Sequence, residues 1–205
     1  MFMGIHMHCL SVYASWVEVR EEDYKDFLFI RHGQTPWGPQ DILKGPLDLP
    51  LNEEGCMQAR QAYQAVASNL YVSNPIIFSS SLVRAYETAE IFARNLTPQP
   101  AIQKKEGLKE RYYGDYSKAS GQSLSEYIPE DAEPIFQFQQ RVRTTLLEIL
   151  KTTPSNKYDV IIVVSHQKVF EFLSEWLVRQ KMNLPQGGIC YFHFDQGAYS
   201  ARVIK

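Results

Sequence analysis

Excess positive charge is missing from this chain: 21 Lys and Arg face 23 Asp and Glu, a formal net charge of −2 over 205 residues. That balance gives no electrostatic footprint for a nucleic-acid backbone, and the Lys104-Lys105 pair is too small to create one. Cysteine is scarce. Cys9, Cys56 and Cys190 are odd in number, far apart and without metal-ligand spacing, so they read as reduced thiols of a cytoplasmic protein rather than a disulfide framework. Long apolar runs are absent too. The N-terminal stretch FMGIHMHCLSVYASWVEV is broken by polar residues too often to span a membrane, and no Lys or Arg precedes Arg20 to form the basic head of a secretory signal. Residues 1–26 are expected to be an extension, an extra strand or docked arm, ahead of one domain over 27–205. His6, His8 and Cys9 in that arm have no fourth ligand at a recognised spacing, so no metal is expected there. Neither internal repeats nor low-complexity linkers appear.

What is present is an alternation of short apolar runs with helical periods. FLFI (Phe27–Ile30), PIIF (Pro75–Phe78) and VIIVV (Val160–Val164) are strand-length and apolar on both faces, as central parallel strands covered by helices are. Helices are expected at Asn52–Leu70, with Asn52 as cap ahead of Glu53 and Glu54, and at Leu82–Leu96. A third is expected at Pro134–Lys151, with Pro134 at its first position and Ile135, Phe138, Val142, Leu146 and Ile149 on one face. Val169, Phe172, Leu173, Trp176 and Leu177 mark a fourth. The tail reads as two strands around Asp195-Gln196-Gly197. Strand alternating with helix implies an α/β three-layer sandwich: a mostly parallel central sheet with helices on both faces.

Ligands of such sheets bind beyond the carboxyl ends of the strands. The first run delivers Arg31 and His32 there, the second Ser79-Ser80-Ser81 and then Arg84, and the third Ser165 and His166. Singly, each has a structural explanation: a satisfied strand-end histidine, a helix cap, an arginine paired with Glu87. Together they would gather several cations at one edge, which is costly unless an anion sits among them. Arginine forks match phosphate oxygens, and a neutral imidazole can attack phosphorus. Gly33 would let the backbone turn closely around such a group. Candidate acids are Glu110 and Asp115 in GLKERYYGDYS, either of which could equally be a surface carboxylate.

These residues resemble the histidine phosphatase superfamily, also called the phosphoglycerate-mutase-like family. The resemblance rests on RHGQT (Arg31–Thr35), on Gly45, Asp48, Pro50, Leu51, Gly55, Gln58 and Ala59 downstream, and on SSLVRAYETA (Ser80–Ala89), LKERYYG (Leu108–Gly114) and VVSHQ (Val163–Gln167). It covers Phe27 to about Val203. The resemblance implies a metal-independent, cofactor-free phosphomonoesterase with His32 as nucleophile and Glu110 as proton donor. Arg31, Arg84 and His166 would hold the phosphoryl oxygens, and Gln34, Thr35 and Gln167 are further candidates for contact with the phosphate. Two positions depart from the family pattern: Gly38 stands where Asn is frequent, and Gln167 follows the second histidine where Gly is usual.

The expected partner is a small phosphorylated substrate, with no nucleic acid and no membrane, for a monomer or homodimer. Mutases of the family carry basic residues in a longer segment after the acid motif. Here DYSKASGQSLSEYIPEDAEP has only Lys118, which favours hydrolysis over transfer between hydroxyls. Tyr112, Tyr113 and Tyr116 could line an uncharged part of a substrate or pack in the core. A non-catalytic phosphate binder is the other reading. Gly38 and Gln167 favour it, and the presence of Glu110 beside the cations argues against it.

Overall fold

The computed structural model describes residues 23–36, 48–70, 72, 74–114, 129–155 and 157–204. The expectations placed on His6, His8, Cys9, Gly38, Gly45, Asp115, Tyr116 and Lys118 lie outside the described residues.

The apolar runs form the middle of one six-stranded sheet. In chain order the strands are β1 (Phe27–Arg31), β2 (Pro75–Ser80), β3 (Ile102–Lys105), β4 (Val160–Ser165), β5 (Ile189–Asp195) and β6 (Ala198–Ile204). In space they run β3-β2-β4-β1-β5-β6. The first four in that order are mutually parallel, and β5 and β6 continue antiparallel beyond β1. The helices are α1 (Glu53–Asn69), α2 (Val83–Ala93), α3 (Ile135–Thr152) and α4 (Gln167–Val178). The expected α/β sandwich is what the chain forms.

Period-2 alternation sorts each strand between two cores. Phe27, Phe29, Ile76, Phe78, Ile161 and Val163 pack with Phe138, Val142, Leu146, Val169 and Phe170 of α3 and α4. Leu28, Ile30, Ile77, Ile162 and Val164 face Ala62, Val66, Ala85, Ala89 and Phe92 of α1 and α2. The first layer is rich in rings, with Phe27 stacked on Phe192 at 4.7 Å between centroids. The second uses alanines, which let α1 and α2 sit close to the sheet and to each other.

Three details differ from the sequence expectations. Pro134 caps α3 from outside, with ψ 137, and Ile135 is the first helical residue. Ile135, expected on the buried face, is 51% exposed because that face reaches the sheet only from Phe138 onward. β3 was not foreseen: IQKK carries a single apolar residue, and it becomes a strand because β2 offers it an edge to pair with. The chain just ahead of β1 is docked against the antiparallel edge. Tyr24 stacks on Phe194 at 5.0 Å, and Asp26 accepts from Tyr191 OH, from Phe194 N–H (2.8 Å) and from the His193 ring (2.8 Å). Cys190 is buried in the sheet, its thiol pushed up to about 12 by desolvation, so it behaves as a small apolar residue. Among the described residues no helix is long and apolar enough to cross a membrane.

Candidate active site

β4 lies between β1 and β2, so their carboxyl ends form one edge. Arg31 pairs in register with Ser165, and Ser79 with Val164. At that edge the chain brings together Arg31, His32, Arg84, Glu110 and His166. The ring centroids of His32 and His166 lie 5.0 Å apart. Both guanidiniums act electrostatically on both imidazoles and on Glu110.

His32 leaves β1 with its N–H bonded to Ser165 O at 2.9 Å. Its Nδ1 lies 2.7 Å from Gly33 O. A carbonyl only accepts, so Nδ1 carries the proton and Nε2 keeps its lone pair. Burial, then the Arg84 and Arg31 charges, lower the His32 pKa to about 3, against the opposing Gly33 bond. The ring is therefore neutral at ordinary pH. Gly33 is required by a close backbone approach. A Cβ there would lie 2.4 Å from Gly55 O, and one on Gly55 would lie 2.1 Å from Gln34 O. The glycine pair lets the first turn of α1 press against the loop after β1.

His166 is fully buried and bonded through Nε2 to Ser80 Oγ at 2.8 Å. Desolvation first, and Arg84 next, push its pKa well below the ordinary value. Its Nδ1 and Arg31 Nε are buried nitrogens with no hydrogen-bond partner among the described residues. Such atoms are rare in a folded protein unless a water, an ion or a ligand completes them. Arg31 Nη1 is anchored on Leu184 O at 2.6 Å. Arg84 sits in the first turn of α2, 3.8 Å from Asp48, whose carboxylate also accepts Val83 N–H at 2.7 Å and so caps the helix. Glu87 does not pair with Arg84: it accepts Leu51 N–H at 2.7 Å.

Glu110 accepts from Arg111 N–H (2.9 Å) and from Lys168 N–H in the first turn of α4 (3.3 Å). Desolvation nevertheless dominates and raises its pKa above the usual glutamate value, against those bonds and both arginines. It is the carboxyl disposed to keep a proton. Its backbone is clamped from α3. Arg141 donates to the carbonyls of Gly107 (2.9 Å), Lys109 (2.7 Å) and Glu110 (3.0 Å), and pairs with Glu133 through Nε and Nη2 at 2.6 and 2.8 Å. Ser165 Oγ adds a bond to Leu108 O at 2.6 Å. Sequence reasoning did not single out Arg141. The available signal was a charge three residues after Phe138 on the apolar stripe of α3, where it lies 5.0 Å from that ring.

The remaining candidates are placed differently. Gln34 Oε1 accepts from Asn52, which also caps α1 by accepting Gly55 N–H at 2.8 Å, and Thr35 O accepts from Asn52 at 3.3 Å. Gln167, expected at the phosphate, has its amide engaged by Glu171, Asn183 and Leu184. Tyr112 OH donates to Asp131 at 2.7 Å, and Tyr113 lies under Arg111 at 5.3 Å. Among the described residues no group of His, Cys, Asp and Glu is arranged to hold a metal.

A family model described as the histidine phosphatase superfamily (branch 1) matches residues 27–204. "Phosphoglycerate mutase-like protein 4" of Arabidopsis thaliana is 30% identical over 169 residues, 75% of this chain and 71% of its own length. The "Uncharacterized phosphatase PhoE" of Bacillus subtilis is 30% identical over 141 residues, 67% of this chain and 69% of its own. The crystal structure of the alpha-ribazole phosphatase from Shigella flexneri shares the fold, with a TM-score of 0.71 over 87% of this chain and 95% of that one at 22% identity.

Proposed function

Because this chain belongs to the histidine phosphatase superfamily (branch 1), we propose that it hydrolyses a small phosphomonoester through a phosphohistidine on His32, without a metal. The observation that carries the reading is one arrangement: a buried imidazole held neutral, a buried carboxyl whose pKa is raised, and two arginines beside them, with Arg31 Nε and His166 Nδ1 unfilled. The phosphoryl oxygens would lie against Arg31, Arg84 and His166 Nδ1. His32 Nε2 donates its lone pair to phosphorus, the ester P–O bond breaks, and the leaving oxygen takes the proton of Glu110 as the alcohol departs. Glu110, now a carboxylate, takes a proton from water whose oxygen attacks phosphorus. The P–N bond breaks, its electron pair returns to Nε2, and phosphate is released.

Magnitudes apportion the work. Phosphate-monoester hydrolysis can be accelerated up to about 10²¹-fold, on the order of 28 kcal/mol. In-line placement supplies roughly 7–11 kcal/mol and a positioned acid roughly 3–5 kcal/mol. The rest of that upper limit falls to the fixed cations around the transferring group.

The test is turnover of p-nitrophenyl phosphate, with EDTA present, by the intact protein and by His32→Ala. The expected result is hydrolysis by the first, unaffected by chelation, and loss of hydrolysis in the second. Equal rates would remove His32 from the mechanism.

A further inference from the structure

α4 begins directly after His166, and its first residue is Gln167, where the resemblance leads one to expect glycine. Every polar atom of that side chain is engaged by the protein. Oε1 accepts Leu184 N–H at 3.3 Å, and the amide nitrogen donates to Asn183 Oδ1 at 2.9 Å and Glu171 Oε1 at 3.1 Å. An amide has two hydrogens, so none is left over for an anion. The partners are themselves fixed: Glu171 is held by Lys168 at 2.9 Å and Lys181 at 3.4 Å, and Leu184 is buried in the α3–α4 core.

Leu184 passes the constraint on. Its carbonyl accepts Arg31 Nη1 at 2.6 Å, and the residues after it close around the same strand end. Pro185 O accepts Gly188 N–H (2.9 Å), Gly188 O accepts Arg31 N–H (3.0 Å), and Gly187 N–H reaches Arg31 O and His32 O at 3.1 Å. Gly187 takes φ +70 to do so. A guanidinium is a planar fork, so the direction of the one carbonyl it leans on decides which edge it presents to a ligand.

We propose that Gln167 is a positioning residue for phosphate: by holding the N–H of Leu184 it fixes the residue whose carbonyl, in the next peptide, sets the orientation of the Arg31 guanidinium, and with it the affinity of the site for a phosphate dianion. This rests on the reading above that Arg31 meets the phosphoryl group. Gln167 does not touch the anion. It ties α4, which begins beside His166, to the loop that holds Arg31, so two anion-binding groups from remote parts of the chain share one frame.

The experiment measures inorganic phosphate binding by calorimetry and p-nitrophenyl phosphate kinetics in parallel. The proteins are wild type, Gln167→Met, Arg31→Lys and the double variant. Methionine keeps the length and helix preference of Gln167 without its polar atoms; lysine keeps the charge of Arg31 without its fork. Gln167→Met should weaken phosphate roughly five- to tenfold, the worth of about one hydrogen bond, and raise KM more than it lowers kcat. The double variant should bind no more weakly than Arg31→Lys alone, because the first change acts through the second residue. Asn183→Ala, at an exposed position, should move affinity the same way by a smaller factor, and it reads the relay even where Gln167→Met does not fold. Wild-type affinity in Asn183→Ala and any folded Gln167 variant, or additive losses in the double variant, overturns the proposal. Because binding needs no turnover, the two readings separate. The expected affinity pattern without hydrolysis keeps this inference and ends the proposed reaction, and normal hydrolysis with unchanged affinity does the reverse.

Discussion

His32 and Glu110 show one cause giving opposite results in two residues. Desolvation disfavours charge, so it keeps a histidine unprotonated and a carboxyl protonated. The rate should therefore fall on the acid side as His32 protonates, near about 3, and on the alkaline side as Glu110 ionises, above its ordinary 4.5. A profile of kcat/KM flat from acid to alkaline pH would contradict both roles. Glu110→Gln removes the donor and should cost about 10²–10⁴-fold with an alkyl phosphate. The loss should be much smaller with p-nitrophenyl phosphate, whose leaving group departs readily as an anion, and the alkaline limb should vanish. Equal losses on the two substrates would show that Glu110 is not the acid. These residues were legible in the sequence because strand ends and short motifs carry them. Arg141 was not, because an arginine inside a helical period looks the same on paper whether it is solvated or turned onto three carbonyls.

At the scale of elements, the site depends on how α1 and α3 are seated. Gly33 and Gly55 touch backbone to backbone, so Gly33→Ala must push α1 away from the loop after β1. The expected cost is about 1–3 kcal/mol in a urea melt, with a larger fractional loss of activity than of stability because His32 is the neighbouring residue. Arg141→Ala leaves Glu133 without its ion-pair partner, with Tyr112 N–H still on Oε2, and takes a donor from three carbonyls. It should cost about 3 kcal/mol, toward the lower end for breaking a buried pair since both side chains keep some exposure. It should also lower kcat through the slackened Glu110 backbone. An unchanged melt would mean that the clamp is replaced by solvent. The four helices were legible from their apolar periods and the capping residue Asn52. The edge strand β3 was not, because only its pairing with β2 defines it. The loop 184–188 also escaped notice: nothing in its local sequence says that it will wrap the end of β1.

The buried histidines also make the stability of the whole molecule depend on pH. Well above pH 6.5 both histidines are neutral folded or unfolded, and they add no pH dependence. Below 6.5 the unfolded chain takes up protons that the folded chain refuses, so their contribution to stability is lost as pH falls toward the folded pKa, about 3 for His32. Glu110 and His193 are raised, and their contributions run the other way, so the difference between variants is the clean readout. His32→Asn, which does not titrate, should lose less stability than wild type between about pH 7 and pH 5. An identical loss in both would show that His32 titrates normally. The sequence made the layers and the convergent strand ends legible, since apolar runs, helices and motifs follow in chain order. It did not contain the order β3-β2-β4-β1-β5-β6, which only long-range pairing decides.

One chemical species tests the central claim most directly: the covalent intermediate on His32. The protein is mixed with p-nitrophenyl phosphate, quenched in alkali, which spares the acid-labile P–N bond, and the adduct is located by tandem mass spectrometry and phosphorus NMR. Because Nδ1–H is tied to Gly33 O at 2.7 Å, the phosphoryl group is expected on Nε2 of His32. Turnover with no adduct under any quench, or an adduct on another residue or on Nδ1, would contradict it.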